Sequence, residues 1–456
     1  MKMKNILFVQ SFAVSGFESR FFAERNACNL ARTALYWFSK KHAEGSSGMD
    51  GAKILGLILD IGAAMIQSGA ETHRVEDSLY RLCDSYRFTD CNIWVVPSNI
   101  QATVTAPDGE RHTQIRHVRN AGVHFHQLDR LNDLSRHTCT DTPDEAELSK
   151  RLKAVLDIPS EPAWLNYLAG AFAGAGFGVF FNCDFMDALV ALCASLLVTF
   201  FVRWLGRRES NPMILNFISA FLAELFILLS VRFGFGHHTG YITIGVVMLL
   251  ISGLGATNGV RDLVHLDTLS GVMNISVSFT GAVGIAMGIA LPLLLLKDWG
   301  TPEMMILNPN VVLSLLSCII SGIGFALWFH VRGIQILYCA LGAVLTWGIY
   351  LLVFRFYPSV FTATMLASAT SALFAQVMAR INKAPATIFQ TVSAIPLIPG
   401  ATLYYMMYGF VTNDRSLALQ KGSDLLLICF GIVIGFMVVE VLGKYIWRKP
   451  AHRHHV

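Results

Sequence analysis

Two stretches concentrate the residues able to do chemistry on a solute. In residues 249–271, LLISGLGATNGVRDLVHLDTLSG, glycines, polar side chains and the ionisable Arg261, Asp262 and Asp267 interrupt an apolar run of membrane length. Non-helical backbone at membrane depth is tolerated only where protein or a water-filled cavity satisfies it, so such a break marks a site. Helix termini with exposed N–H groups suit a substrate carboxylate, and Thr257 and Asn258 offer polar contacts. Arg261 is able to grip that carboxylate bidentately, or to pair with Asp262 at a cytoplasmic rim. Asp267 is suited to orienting an amino group, to proton coupling or to a helix cap. The second stretch, IPLIPGATLYY at 395–405, is broken by Pro396 and Pro399, which remove backbone donors and clash with the preceding turn. Gly400, Thr402, Tyr404 and Tyr405 are the residues able to complete a cavity there, although tyrosines are also common as packed or interfacial groups.

Isolated carboxyls inside apolar segments form a second class. Glu224 stands near the middle of its segment, where a lone charge is costly, and is the leading candidate for proton coupling. Glu440, deep in the last apolar segment, is the next, its alternative being a neutral or paired carboxyl that joins two helices. A third group, Glu71, Arg74, Glu76 and Asp77, lies on the charged face of an amphipathic run, where solvated charge or packing against the membrane part outweighs an acid pair. His124 and His126 share a face if their segment is a strand, with His112 and His117 close in sequence, while His237 and His238 read as loop residues. HExxH, Walker A and GxSxG patterns are absent, so the expectation is no enzyme, no cofactor and no metal.

The elements that must position these residues follow from composition. The chain of 456 residues is 54% hydrophobic and 14% charged, with mean hydropathy +0.52, the profile of an integral membrane protein. Residues 1–160 hold 19 Lys/Arg and 19 Asp/Glu of the 66 charged residues, so the charge sits at the front and the rest is apolar. A net charge of +4 without a dense Lys/Arg stripe suits the basic loops of a membrane protein and argues against nucleic acid. The nine cysteines form no CxxC pair and read as free residues.

Residues 1–162 are expected to form a cytoplasmic α/β or α+β domain: helices over 54–88 separated near Gly69, strands at 91–106 around the PSN turn and at 113–119, and helices at 127–133 and 145–156. Ten apolar segments follow between 164 and 447, the fourth at 240–257. Arg203, Arg207 and Arg208, then Arg380 with Lys383, then Lys444, Arg448, Lys449 and Arg453 all fall inside when both termini are cytoplasmic, with the 233–240 and 297–303 loops opposite.

AGAGFGVFFNCDFMDALVALCASLL at 173–197 matches SGIGFALWFHVRGIQILYCALGAVL at 321–345, an offset of 148, and GLGAT at 253–257 answers IPGAT at 398–402. Five spans per half is an odd number, so the halves, 163–300 and 301–456, enter the membrane with opposite polarity. The expected fold is a polytopic α-helical membrane transporter, a 5+5 inverted repeat with its site where two broken helices meet near the midplane.

The motifs SGAETHRVEDSLYRL (68–82), TNGVRDLVHLDTLSG (257–271) and IPLIPGATLYY (395–405) resemble the threonine/serine exporter family, and with the span pattern the resemblance covers nearly all of 54–447. It implies export of threonine and serine across the cytoplasmic membrane, coupled to protons, and functional use of residues 71–77 and 257–262. Ser252 and Gly253 stand where relatives often carry a proline-glycine pair. The partners implied are a small solute, protons and the lipid bilayer, with homo-oligomerisation left open. A succinate-like dicarboxylate exporter and a membrane-anchored sensor or enzyme are the competing expectations.

Overall fold

The computed structural model describes residues 50–446 apart from 120, 121, 160, 210, 252, 265 and 297–309; the side chains of 253, 254, 256, 257, 264, 411 and 444–446 also lie outside the description. The 297–303 loop, the Lys444 side chain, and Arg448, Lys449 and Arg453 of the basic tail fall outside it too.

Two helices open the described chain, α1 (Gly51–Gln67) and α2 (Thr72–Ser85). Asp50 caps α1 by accepting from the amides of Ala52 and Lys53. The chain reverses through Gly69, whose φ of +93° is open to glycine at little cost. Three antiparallel strands follow in order, β1 (Thr89–Val96), β2 (Asn99–Thr105) and β3 (Arg111–His117). Alternation along β2 sends Ile100, Ala102 and Val104 onto Ile58, Leu59 and Leu79 in one core. Asp60, which argued against a membrane span, bonds Arg116 of β3 at 2.6 Å. α3 (Phe125–Asp141) and α4 (Glu145–Leu156) complete this α+β part. The segment of His124 and His126 is not extended, so they do not share a strand face: His124 caps α3, its ring nitrogen accepting from the amide of Gln127.

Beyond Pro162 the chain is helical: α5 (Ala163–Phe180), α6 (Phe185–Leu205), α7 (Pro212–Arg232), α8 (Thr239–Val247), α9 (Gly253–Val264), α10 (Thr268–Leu295), α11 (Val311–Trp328), α12 (Gln335–Phe356), α13 (Val360–Asn382), α14 (Ala386–Ala394), α15 (Gly400–Val411) and α16 (Arg415–Ile446). Among the described residues, eight of these are long and apolar enough to cross a membrane: α5, α6, α7, α10, α11, α12, α13 and α16. A ninth forms if α14, α15 and the 3-10 turn between them, bent by 53°, count as one span. The segment expected at 240–257 is instead split. At 1.5 Å per residue the nine residues of α8 reach only about 13 Å, and α9 is too polar to extend it.

Helix pairings recur between the two halves. α7 packs on α10 as α13 does on α16, α8 on α5, α6 and α7 as α14 does on α11, α12 and α13, and α9 on α10 as α15 does on α16. Across the halves α5 meets α11, α10 meets α15, α9 meets α16 and α8 meets α15. Large apolar side chains such as Phe185, Leu295, Leu337 and Leu426 point outward, as lipid-facing surface requires.

Small residues permit the closest approaches. A Cβ at Gly245 would lie 2.6 Å from the backbone nitrogen and 2.7 Å from the Cα of Gly178, neither of which yields without moving α5. Gly245→Ala is therefore expected to cost about 1–3 kcal/mol, seen as a lower melting temperature of the detergent-solubilised chain. At Gly348 the nearest atom is 3.9 Å away, so Gly348→Ala serves as the control. Equal melting temperatures for the two variants would contradict the packing account.

Candidate functional site

The two breaks meet. A Cβ at Gly400, the head of α15, would touch Met248 Sδ at 2.7 Å and Ile251 Cδ1 at 3.2 Å, both in the linker leaving α8. Beside this contact Glu224 of α7 is 2% exposed, and Thr243 of α8 donates its hydroxyl to Glu224 Oε2 at 2.7 Å. The buried carboxyl thus has the polar partner that its burial demands. Tyr404 of α15 is buried and lies within electrostatic reach of Glu224, its ring 5.1 Å from that of Tyr405. Thr402 is not part of this group. It lines a cavity of about 90 Å³ with Phe180, Trp347, Thr364 and Pro396.

A second cluster ties α9 to the N-terminal part. Arg261 Nη2 lies 2.7 Å from Glu71 Oε2, and each side chain is 6% exposed. The sequence expectation paired Arg261 with a substrate or with Asp262; its partner is a carboxylate some 190 residues upstream in the chain. Glu71 stands at the N-cap of α2 yet makes no side-chain cap bond, which leaves its oxygens for other groups. Arg74 Nε donates to it at 3.1 Å and Thr387 Oγ1 at 3.3 Å, and His73 Nδ1 lies 3.8 Å away. Burial pushes the Glu71 carboxyl up, but the charges of Arg261, Arg74 and His73 outweigh it and hold it well below the usual carboxylate range. His73 Nε2 also reaches Glu440 Oε1 at 4.0 Å, so α16 joins the cluster.

Asn258 and Arg261 share a cavity of about 20 Å³ with Glu71, Gln390, Thr391 and Phe436. That volume holds about one water, so α9 faces Glu71 and not a solute-sized space. The side chain of Thr257 lies outside the described residues. Asp262 accepts from Asn274 Nδ2 at 2.9 Å and fastens α9 to α10. Asp267 is exposed and makes no cap bond. Of the other motif residues, Asp77 lines a large cavity beside Arg74. Burial, and then the charges of Asp267 and Asp77, push Glu76 up.

Sequence reasoning passed over Thr243, His73, Thr387, Gln390 and Thr391. His73 lies inside the ETHRVED motif and was readable there; the others are hydroxyls and an amide in apolar helices, with no spacing that marks them. His237 and His238 are loop residues as expected, and their Nδ1 atoms bond Asp184 at 2.5 Å and Asp187 at 2.8 Å. Asp184, Asp187 and His237 have ligand-type atoms within 4.8 Å of one another. Asp187 already accepts the amides of His237 and His238, so the group fastens the loop.

The family model described as "Putative threonine/serine exporter" matches residues 56–296, and a second, "Threonine/Serine exporter, ThrE", matches residues 314–442. The chain belongs to the threonine/serine exporter family. A relative from Mycobacterium tuberculosis, named "Probable threonine/serine exporter", is 20% identical over 423 residues, which cover 88% of this chain and 80% of that protein. No solved structure matches. Exporter family membership and the eight apolar helices identify a multi-pass membrane protein. The first exporter match spans both Glu71 and Arg261, so the two sides of the buried ion pair lie in one family region.

The N-terminal part of this exporter also contacts α11. The amides of Phe125 and His126 donate to the carbonyls of Phe329 and His330, and the His124 and His330 rings stack at 4.5 Å. Burial, and then the charge of His330, push His124 down to about 4. Its unfolded value near 6.5 is higher, so the unfolded chain binds more protons between the two values. Stability from this contact is full above about pH 6.5 and declines as pH falls towards 4. Partial exposure of the ring screens the effect. Amide exchange at Phe125 and His126, corrected for intrinsic rates, is expected to speed up at pH 5 relative to pH 7.5 in the parent chain and not in His124→Phe. Identical pH responses would rule the ring out as the cause.

Proposed function

We propose that the chain exports threonine and serine from the cytoplasm by proton-coupled alternating access. The observation that carries this reading is the meeting of the two breaks, Gly400 on Met248 and Ile251, with the buried Glu224–Thr243 pair beside it. Half-helices that end against each other leave backbone groups for a solute near the midplane, the arrangement used by secondary transporters. The recurrent helix pairings support two five-span halves related as an inverted repeat, α5–α10 within 163–300 and α11–α16 within 301–456, after an N-terminal domain over 1–162. Positive loops support an inner-membrane protein with both termini cytoplasmic. The substrate assignment rests on the family and on the name carried by the mycobacterial relative.

In this reading Asn258 and Arg261 receive the substrate carboxylate and Glu71 stands in its place between cycles. A carboxylate on a buried guanidinium is the interaction a substrate would make, so Glu71 acts as a tethered competitor that seals the cytoplasmic mouth. Glu224 carries the proton, with Tyr404 and Thr243 as its polar surroundings.

Purified chain in liposomes, loaded with labelled threonine or serine and given a controlled pH gradient, is expected to move either amino acid in a gradient-dependent way. Movement of succinate without threonine would favour the dicarboxylate reading. Turnover of a small molecule without transport would favour an anchored enzyme.

A further inference from the structure

A cavity of about 650 Å³ lies where α2 and α3 face α13 and α16. Its wall carries four arginines, Arg74 and Arg81 of α2, Arg136 of α3 and Arg380 of α13, against two carboxylates, Asp77 and Glu440. Arg74 and Arg81 are two helical turns apart and so share a face. Three of the guanidinium groups are anchored at the wall. Arg74 bonds Glu71, Arg136 donates to the Lys383 carbonyl, and Arg380 Nη1 donates to the Gln376 carbonyl at 2.7 Å. Arg81 is exposed and has no ion pair or hydrogen bond among the described residues.

Glu71 at 3.1 Å and Asp133 at 3.4 Å already pair with Arg74 and Arg136, so the positive charge left open to a bound anion centres on Arg81. The volume is that of a small-molecule pocket. Planar guanidinium forks match phosphate oxygens two at a time, which lysines do not. The geometry points to a binding site for a phosphate-bearing anion, either free or as the headgroup of an anionic lipid at the membrane face. This site is distinct from the Arg261 cavity and concerns a second ligand. It is coupled to that cavity through Arg74, which bonds Glu71 and also lines the wall. Occupancy draws Arg74 towards the phosphate and weakens the ring of charges that holds Glu71 on Arg261.

The test uses the full chain in nanodiscs of neutral lipid, titrated calorimetrically with inorganic phosphate and with pyrophosphate. A parallel set of discs contains phosphatidylglycerol, whose retention is read by native mass spectrometry. Saturable pyrophosphate binding is expected, weaker by about tenfold in Arg81→Gln and further in Arg81→Gln/Arg136→Gln. Asp77→Asn, which removes a repelling carboxylate and keeps every arginine, is expected to bind more tightly. Unchanged melting temperatures without ligand establish that the variants are folded. Retention of phosphatidylglycerol that is lost in the double variant, with pyrophosphate excluded from those discs, identifies the headgroup as the source. No binding from either source, or binding indifferent to the arginines and Asp77, overturns the site. Displacement of pyrophosphate by threonine would also overturn it, because the cavity would then belong to the substrate path.

Discussion

Glu71→Gln is expected to destabilise the full chain by about 3–5 kcal/mol, the cost of leaving one member of a buried ion pair without its opposite charge. Both side chains are 6% exposed and their atoms lie 2.7 Å apart, so solvent cannot replace the missing carboxylate for Arg261. The loss falls on the docking of the N-terminal part against α9 and should appear as a lower melting temperature and earlier proteolysis in the 157–162 connection. Arg261→Gln is expected to cost a similar amount. The double variant, Glu71→Gln with Arg261→Gln, should recover much of it, since neither buried charge of the pair remains and Arg74, which loses Glu71, is partly exposed; strictly additive losses would show that the pair is not coupled.

The same variants separate a structural pair from a gate. If Glu71 holds the position of a substrate carboxylate, Glu71→Gln tightens apparent threonine affinity from the cytoplasmic side while Arg261→Gln weakens it, although both lose stability. Affinities that move in the same direction would remove the competitor role. The pH dependence has a definite sign. The folded carboxyl titrates below its unfolded value, so the pair's contribution is present above about pH 4.3 and is lost only as pH falls through the depressed value. Docking through this pair should therefore be constant between about pH 5 and 8, in contrast to the His124 contact.

Glu224→Gln is expected to abolish gradient-driven transport, down to the level of empty liposomes, while threonine exchange without a gradient persists. The amide oxygen can still accept from Thr243, so the fold is preserved and the variant removes only the titrating oxygen. Thr243→Val provides the contrast. It strands a buried acceptor at a cost of about 1–3 kcal/mol without removing the proton site, and should lower the melting temperature while coupling survives. Full gradient-driven movement in Glu224→Gln would take Glu224 out of the coupling role.

Much of the architecture was legible because its signals are local. The PSN turn placed β1 and β2, the helix expected at 145–156 is α4, and hydropathy found the long spans. An interruption within 249–271 was readable from glycines and polar residues, but its form was not: periodicity could not show that α8 stops after nine residues and that Gly253–Val264 is itself a helix. Glu71 and Arg261 were each singled out, yet their pairing depends on a tertiary contact between α2 and α9 that no spacing encodes. Thr243 was missed because one hydroxyl in an apolar helix looks the same whether it caps a carboxyl or bonds its own backbone. The shared face of His124 and His126 was conditional on an extended segment, and the condition fails because His124 caps the helix that follows.

The short reach of α8, whose linker meets the head of α15, has an electrical consequence in the proposed cycle. If the proposed solute path opens to water on either side of that contact, the insulating layer is thinner than the bilayer, and the membrane potential falls across it. A charge crossing it experiences nearly the whole potential, about 2.3 kcal/mol per elementary charge for each 100 mV. Exchange of one inward proton for one outward zwitterion, as proposed, moves a net charge each cycle, so its rate answers to voltage as well as to pH.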